Sequence, residues 1–205
     1  MAVLALALYA AYLALAFGLR TLIQVRRTGS TGFHGLGGHP GSAEWIAGVG
    51  FTVALLLGAT APLLALLEVV EPIAALDTPA LLIGGFALAI AGIAATFYAQ
   101  VAMGTSWRIG VDSAERTELV TTGPFALVRN PIFAAMLPTA LGLTLLVPSW
   151  VALAGLAGLA IALELQVRVV EEPYLLSAHR DTYAGYAARV GRFVPGVGLL
   201  RGAGR

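Results

Sequence analysis

The sequence predicts an all-α integral membrane helical bundle: five transmembrane helices, with a helical hairpin made by spans four and five and a cytoplasmic C-terminal amphipathic helix. Three observations predict it. The chain of 205 residues is 59% hydrophobic and 11% charged, whereas a soluble domain needs about 25% charged residues to face water. Its apolar residues fall in unbroken runs near the roughly 20 that carry a helix across a bilayer, without the alternating polarity of a membrane barrel. All twelve basic residues are arginines, and they occupy alternate connections.

The runs cover residues 2–19, 45–67, 80–103, 132–147 and 150–167 of a single membrane domain, 1–205, and a cytoplasmic tail, 168–205, follows. The first run has no positive stretch ahead of it and Arg20 after it, so it is read as a retained span and not a signal peptide. Pro148-Ser149 leaves room only for a tight turn between antiparallel helices. Arg20, Arg26 and Arg27 follow span one; Arg108, Arg116 and Arg129 lie between spans three and four; the other six follow span five. The connection between spans two and three carries Glu68, Glu71 and Asp77 and no arginine. The positive-inside rule then puts the N-terminus outside and the C-terminus, with any active site on that face, in the cytoplasm, for a protein integral to the inner or cell membrane. Trp45, Trp107 and Trp150 stand at span ends, as interfacial tryptophans do. The rows Gly84, Gly85, Ala89, Gly92 and Gly155, Gly158, Ala162 allow close helix approach; they permit oligomers without requiring them.

Several functions are excluded at once. A net charge of +1 offers no basic stripe for nucleic acid. The absence of cysteine removes disulfides, thiolate metal sites and thiol nucleophiles.

Polar residues concentrate in three segments, all on the arginine side. The first, 28–42, holds six glycines; it lacks the Gly-Lys-Ser/Thr of a phosphate loop, and it reads as a flexible connector, with a lid over a site as the other reading. His34 and His39 within it are a poor ligand pair with no carboxylate beside them, so no metal site is expected. The second segment ends at Asn130-Pro131, the pattern of an N-cap followed by proline at the first helical position. Arg129 is thereby left beside a helix N-terminus, a corner that suits an anion. In the third, Glu164, Arg168 and Glu171 or Glu172 recur at helical spacing, so that Arg168 can pair in both directions. An ionisable group where span five leaves the lipid is a functional candidate; a salt-bridged ladder closing the bundle is the alternative. Pro173 then interrupts, and Tyr183 and Tyr186 share one face of an amphipathic helix.

GPFALVRNPIF, then about forty residues, then RVVEEPYLLSAHRDTYAGYAARVGRFVP resembles the isoprenylcysteine carboxyl methyltransferase family and its prokaryotic relatives. The shared elements are a Gly-Pro-aromatic turn, an Arg-His-Pro-x-Tyr element, a hairpin, a Glu-Glu pair and a Tyr-x-x-Tyr helix. They cover Leu119–Pro195. The resemblance implies an S-adenosylmethionine-dependent membrane methyltransferase. Its cofactor site would take Gly123, Pro124, Phe125, Val128, Arg129, Asn130, Pro131, Tyr183 and Tyr186, while Arg168, Glu171 and Glu172 flank the reacting groups. Asn130 stands where the family has His and cannot carry its charge; Phe133 stands where it has Tyr.

On this reading Arg129 holds the cofactor's carboxylate and Arg168 orients an anionic acceptor. Glu171 or Glu172 serves as base for a thiol or amine, or holds Arg168 if the acceptor is a carboxylate. The acceptor is lipophilic or small and enters from the lipid bilayer. The arginine-only, Ala/Gly-rich composition suggests a high-GC bacterium. Two other functions fit the same residues: an NADPH-dependent reductase like the sterol reductases, and a non-catalytic membrane scaffold or transporter.

Overall fold

The computed structural model describes residues 1–33, 35, 37–108 and 118–200. His34, Arg116, Arg201 and Arg205 of the sequence reading lie outside these. Five helices form the bundle: α1 (Ala2–Thr28), α2 (Ala43–Leu66), α3 (Pro79–Ala102), α4 (Pro131–Leu146) and α5 (Trp150–Ala187). All except α4 have the length and apolarity to cross a membrane. Helix α4, with 16 residues, is about 24 Å long at 1.5 Å per residue. Among the described residues the β structure amounts to isolated bridges, one of them parallel between Val128 and Gly191.

Three helices start where a hydroxyl precedes the apolar run. Ser42, Thr78 and Ser149 accept hydrogen bonds from the backbone amides of Trp45, Leu81 and Ala152, which satisfies donors that lipid would leave unpaired. Helix α1 stops at Gly29, whose φ of 75° is left-handed.

Small residues set the packing. Helices α3 and α4 meet backbone to backbone: a Cβ on Gly142 would lie 2.6 Å from the Gly85 carbonyl oxygen, and one on Gly92 would lie 2.7 Å from the Thr139 nitrogen. Gly85, Ala89 and Gly92 form this seam as expected, but Gly84 faces open space. Gly155 sits against Leu57 and Gly58 of α2 in the same manner. The α2–α3 connection joins the hairpin turn through Ile73 N–H to the Pro148 carbonyl, at 2.7 Å. Those two connections therefore share one end of the bundle, and the arginine-bearing segments share the other.

Helices one and five run past their expected ends. In α1 the segment Ala14–Leu19 is a π turn, and Arg20 and Gln24 beyond it point inward. Arg20 is fully buried. It donates from Nε to the Gln100 carbonyl and from Nη2 to the Gly104 carbonyl, and lies 4.5 Å above the Trp107 ring. Trp107 is thus a buried platform for a cation and not an interfacial anchor, whereas Trp150 is exposed as expected. In α5, Pro173 does not interrupt the helix. Its ring would clash with the carbonyl four residues back, and the π turn Gln166–Glu171 just before it widens the helix at that point. The helix bends later, at Arg180, where φ is 44°. The last turns bury Tyr183, Tyr186 and Ala187 against Leu119, Leu175, Val190 and Leu200, and Tyr186 reaches the turn at Phe125.

The seam between α3 and α4 gives a direct test. Gly142→Ala should lower stability by about 1–3 kcal/mol, the usual cost of overpacking, because the atoms it would meet are backbone. Gly84→Ala should leave the thermal melting temperature in detergent unchanged or slightly higher. Equal melting temperatures for the two variants would contradict the packing described.

Candidate functional site

The three polar segments converge on a cavity of about 940 Å³ at the arginine end, near the top of the roughly 300–1,000 Å³ range of small-molecule sites. Its inner wall is apolar and comes from the spans: Tyr12 and Phe17 of α1, Phe51 and Leu55 of α2, Phe133 and Met136 of α4. Its outer wall is polar and includes Arg108, Glu118, Gln166 and Glu171. Arg108 stacks 4.8 Å from the Tyr174 ring. Phe33, Gly35, Gly37 and Gly38 also line it, so the glycine-rich segment is a wall of the cavity and more than a connector. His39 stays exposed, with Nδ1 near the Pro40 carbonyl.

Beside the cavity lies a buried charge cluster. Glu172 receives a hydrogen bond from Arg129 Nη2, and Arg192 binds both its carboxylate oxygens, Nε to Oε1 at 2.8 Å and Nη2 to Oε2 at 2.9 Å. Arg129 also donates to the carbonyls of Ala187, Val190 and Gly198. All four of its Nη hydrogens are therefore used within the protein, while Arg129 also lines the cavity and no described residue accepts from its Nε. Burial would raise the Glu172 carboxyl, but the hydrogen bonds from Arg192 and Arg129 outweigh it and hold the group below its ordinary value. The cluster is fixed by the backbone: Arg129 N–H donates to the Gly191 carbonyl at 2.8 Å and Asn130 N–H to that of Arg192 at 3.1 Å. Gly191 is required there, since a Cβ would lie 2.8 Å from the Gly196 nitrogen.

Glu171, one residue earlier on the same helix, faces the cavity instead. Burial pushes its carboxyl up to about 7, against the lowering effects of Arg108 and a hydrogen bond with Gln166. Tyr183 and Tyr186 line the cavity, and Tyr186 donates its hydroxyl to the Phe125 carbonyl. Burial pushes both phenols up to about 12, so they remain neutral donors.

The remaining predicted residues divide. Phe125, Asn130 and Pro131 reach the cavity. Gly123 and Pro124 do not; with Gly123 at a φ of 60° they build the turn that presents Phe125. Val128 is buried in the bridge to Gly191. Asn130 occupies the N-cap position but does not cap; its Nδ2 donates to the Arg192 carbonyl at 3.1 Å, because the bridge brings that carbonyl within reach. The first-turn amides of α4 are thus left without a side-chain cap beside the cavity. Arg168 is the clear departure. It is exposed and, among the described residues, its ion pair is with Glu164, since the π turn rotates the Glu pair off its face, and it does not line the cavity. The ladder expected to run both ways from Arg168 runs one way.

Sequence reasoning missed Arg192 as a partner of Glu172, as well as Arg108, Gln100 and Phe33. Arg192 lies twenty residues from Glu172, and no helical periodicity links them.

A family model described as phospholipid methyltransferase matches residues 80–182, from the start of α3 through Thr182. The chain belongs to that family. The match takes in the Phe125–Phe133 stretch and both glutamates and stops just before Tyr183. A curated protein, the nickel-cobalt-cadmium resistance protein NccN of Alcaligenes xylosoxydans xylosoxydans, is 33% identical over 91 residues. That alignment covers 44% of this chain and 42% of NccN, so the chain spans less than half of this relative's length. The resemblance to membrane methyltransferases read from the sequence agrees with the family match.

Glu172→Gln leaves the buried guanidinium of Arg129 with no carboxylate and that of Arg192 with only Glu164, at 3.3 Å, and breaking a buried pair in this way typically costs about 3–5 kcal/mol. The deficit should be full near pH 7. Because the folded carboxyl is held below its ordinary 4.5, the contribution of wild-type Glu172 is lost as pH falls through that lowered value. The stability gap, read by denaturant unfolding in detergent, should therefore narrow below pH 4.5. A gap independent of pH would show that Glu172 is not ionised in the fold.

Proposed function

We propose that the protein is an S-adenosylmethionine-dependent membrane methyltransferase that acts on a lipophilic or small acceptor at the cytoplasmic face. The observation that carries this reading is the cavity itself. Its inner half is apolar at the level of the spans, its outer half is polar, and Glu171 stands on its wall within the family-matched stretch. The cytoplasmic placement follows from the arginines gathered at the cavity's end.

The residues present fit a cofactor with an aromatic base and an anionic end. Phe125, Tyr183 and Tyr186 provide aromatic walls. The uncapped amides at the start of α4, near Ile132 and Phe133, suit a carboxylate, and Arg108 lies on the same cavity. When bound, S-adenosylmethionine supplies a methyl group on a sulfonium, whose carbon–sulfur electron pair stays on sulfur as the acceptor's lone pair forms the new bond. The protein's part is alignment. Arg129 is a positioning residue that ties the start of α4 to α5 and the tail. Tyr183 and Tyr186 close the cavity against water. Glu171 takes the proton from the acceptor's nucleophilic atom, which favours a proton-bearing nucleophile such as an amine or thiol over a carboxylate. Glu172, locked between two arginines, is unsuited to that role, and Arg168 lies outside it.

Calorimetric titration with S-adenosylhomocysteine, with NADPH in parallel, tests the cofactor; micromolar binding of the first alone is expected. Binding of NADPH alone would replace this reading with a reductase, and binding of neither would leave a scaffold. Once turnover is measured, Glu171→Gln should reduce it by about 10²–10⁴. The wild-type rate should climb as pH rises through about 7, where the carboxylate forms, and the variant's should not. Arg168→Ala should stay within about twofold of wild type, as surface substitutions generally do. A full rate in Glu171→Gln would remove the base from the mechanism.

A further inference from the structure

A second, smaller void lies deeper in the bundle, and the proposed chemistry makes no use of it. It measures about 50 Å³ and sits between α1, α2, α4 and α5. Tyr12, Leu55 and Met136 wall both spaces, so this chamber adjoins the apolar inner end of the large cavity. It extends from there toward the hairpin turn, where Ala5, Ala61, Val147 and Ala152 wall its far end. None of the residues around it is exposed, so the large cavity is its approach. Beyond Tyr12 the hydroxyls on its wall all donate to backbone carbonyls: Tyr9 to Leu55, Thr139 to Ala135 and Thr144 to Ala152. Voids of this kind stay dry and take apolar ligands.

Left empty, the chamber forfeits the contacts its walls would otherwise make. Its size sets what can fill it. With about 30 Å³ for a group as small as a water molecule, 50 Å³ holds about two methylenes. That suits the end of an unbranched chain and excludes a ring or a branched end. The start of α4 lies about 24 Å from Val147 at 1.5 Å per residue, so a long chain is needed to reach the chamber from the polar half of the cavity. We propose that the chamber is a subsite for the terminal carbons of an unbranched alkyl or acyl chain, threaded past Tyr12, Leu55 and Met136. This rests on the reading of the large cavity as an acceptor site. It adds that the acceptor is a straight-chain amphiphile and that the closed end at Ala5 and Val147 limits its length.

Photolabelling of the full-length protein in detergent locates the chain end. The probes are hexadecanol and octanol, each with an alkyl diazirine beside its terminal carbon. A hexadecyl chain spans most of the length to Val147, and an octyl chain less than half. Mass spectrometry should find the hexadecyl probe on chamber residues such as Ala5, Gly58 and Thr144, and the octyl probe on none of them. Excess hexadecanol should abolish that labelling, whereas phytanol, the same chain with methyl branches, should not. Ala5→Leu fills the chamber and should remove the label from Gly58 and Thr144. Should that variant fail to fold, the wild-type pattern and the competition decide alone. Label confined to exposed residues such as Leu56 and Ile161, or equal chamber labelling in Ala5→Leu or by the octyl probe, would reduce the chamber to a packing void. Equal competition by phytanol would overturn the straight-chain assignment. Titration of the same samples with S-adenosylhomocysteine separates the two failures. Cofactor binding without chamber labelling removes only the chain subsite, and chamber labelling without cofactor binding removes only the methyltransferase reading.

Discussion

One carboxylate, Glu172, holds two buried arginines, and the polar end of the molecule is organised around that contact. Ions out of water are unfavourable unless paired and fully hydrogen-bonded. Glu172 is shared by Arg129 and Arg192, and the surplus positive charge of Arg129 is spread over the carbonyls of Ala187, Val190 and Gly198. These partners come from the start of α4, the extension of α5 and the tail beyond it. The cluster therefore closes three segments that a lipid-facing bundle has no other reason to bring together. The cavity wall from Phe125 to Phe133 and the wall from Glu171 to Tyr186 keep their separation because of it.

Arg20 does the corresponding work at the other side of the cavity by different means. No described carboxylate pairs with it. Its charge rests on the ring of Trp107 and on the carbonyls of Gln100 and Gly104, and Gln24 adds a bond to the Thr105 carbonyl at 2.8 Å. Carbonyls at the C-terminal end of α3 are unpaired within the helix and carry its negative dipole end, so a guanidinium there is favourable without an acid. The cavity thus lies between two arginine-built anchors, one centred on a carboxylate and one on a helix terminus.

The spans, the hairpin and the close-packed seam of Gly85, Ala89 and Gly92 were legible because lipid permits so few backbone solutions. What escaped the sequence was set by departures from the α-helix. A π turn has no strong residue signature, yet each one shifts every later side chain. The turn in α1 sent Arg20 inward, although the charge pattern showed it only as a basic residue following span one, and with it moved Trp107 from interface to interior. The turn in α5 separated Arg168 from the Glu pair, which regular spacing had placed on its face. Asn130 was read as a cap because its neighbours suggest one; the carbonyl that captures it belongs to Arg192, sixty-two residues away. The cavity position of Phe33 and its glycines likewise depends on contacts that composition does not encode.

The adjacent glutamates show how far local geometry decides chemistry. Successive residues on a helix point about 100° apart, so Glu171 and Glu172 cannot share an environment. Glu172 turns toward two guanidinium groups, and its charge is favoured despite burial. Glu171 turns toward the cavity, where Arg108 and Gln166 favour the charged form less than burial disfavours it. Two carboxyls with the same sequence signal are thereby driven in opposite directions, the pattern that assigns a permanent charge to one and a transferable proton to the other. Exchanging their roles would place the transferable proton against Arg129 and Arg192, which suppress it, and a fixed charge where burial outweighs the help of Arg108 and Gln166. On the proposed reading, the roles of base and anchor follow from the side of the helix each residue occupies.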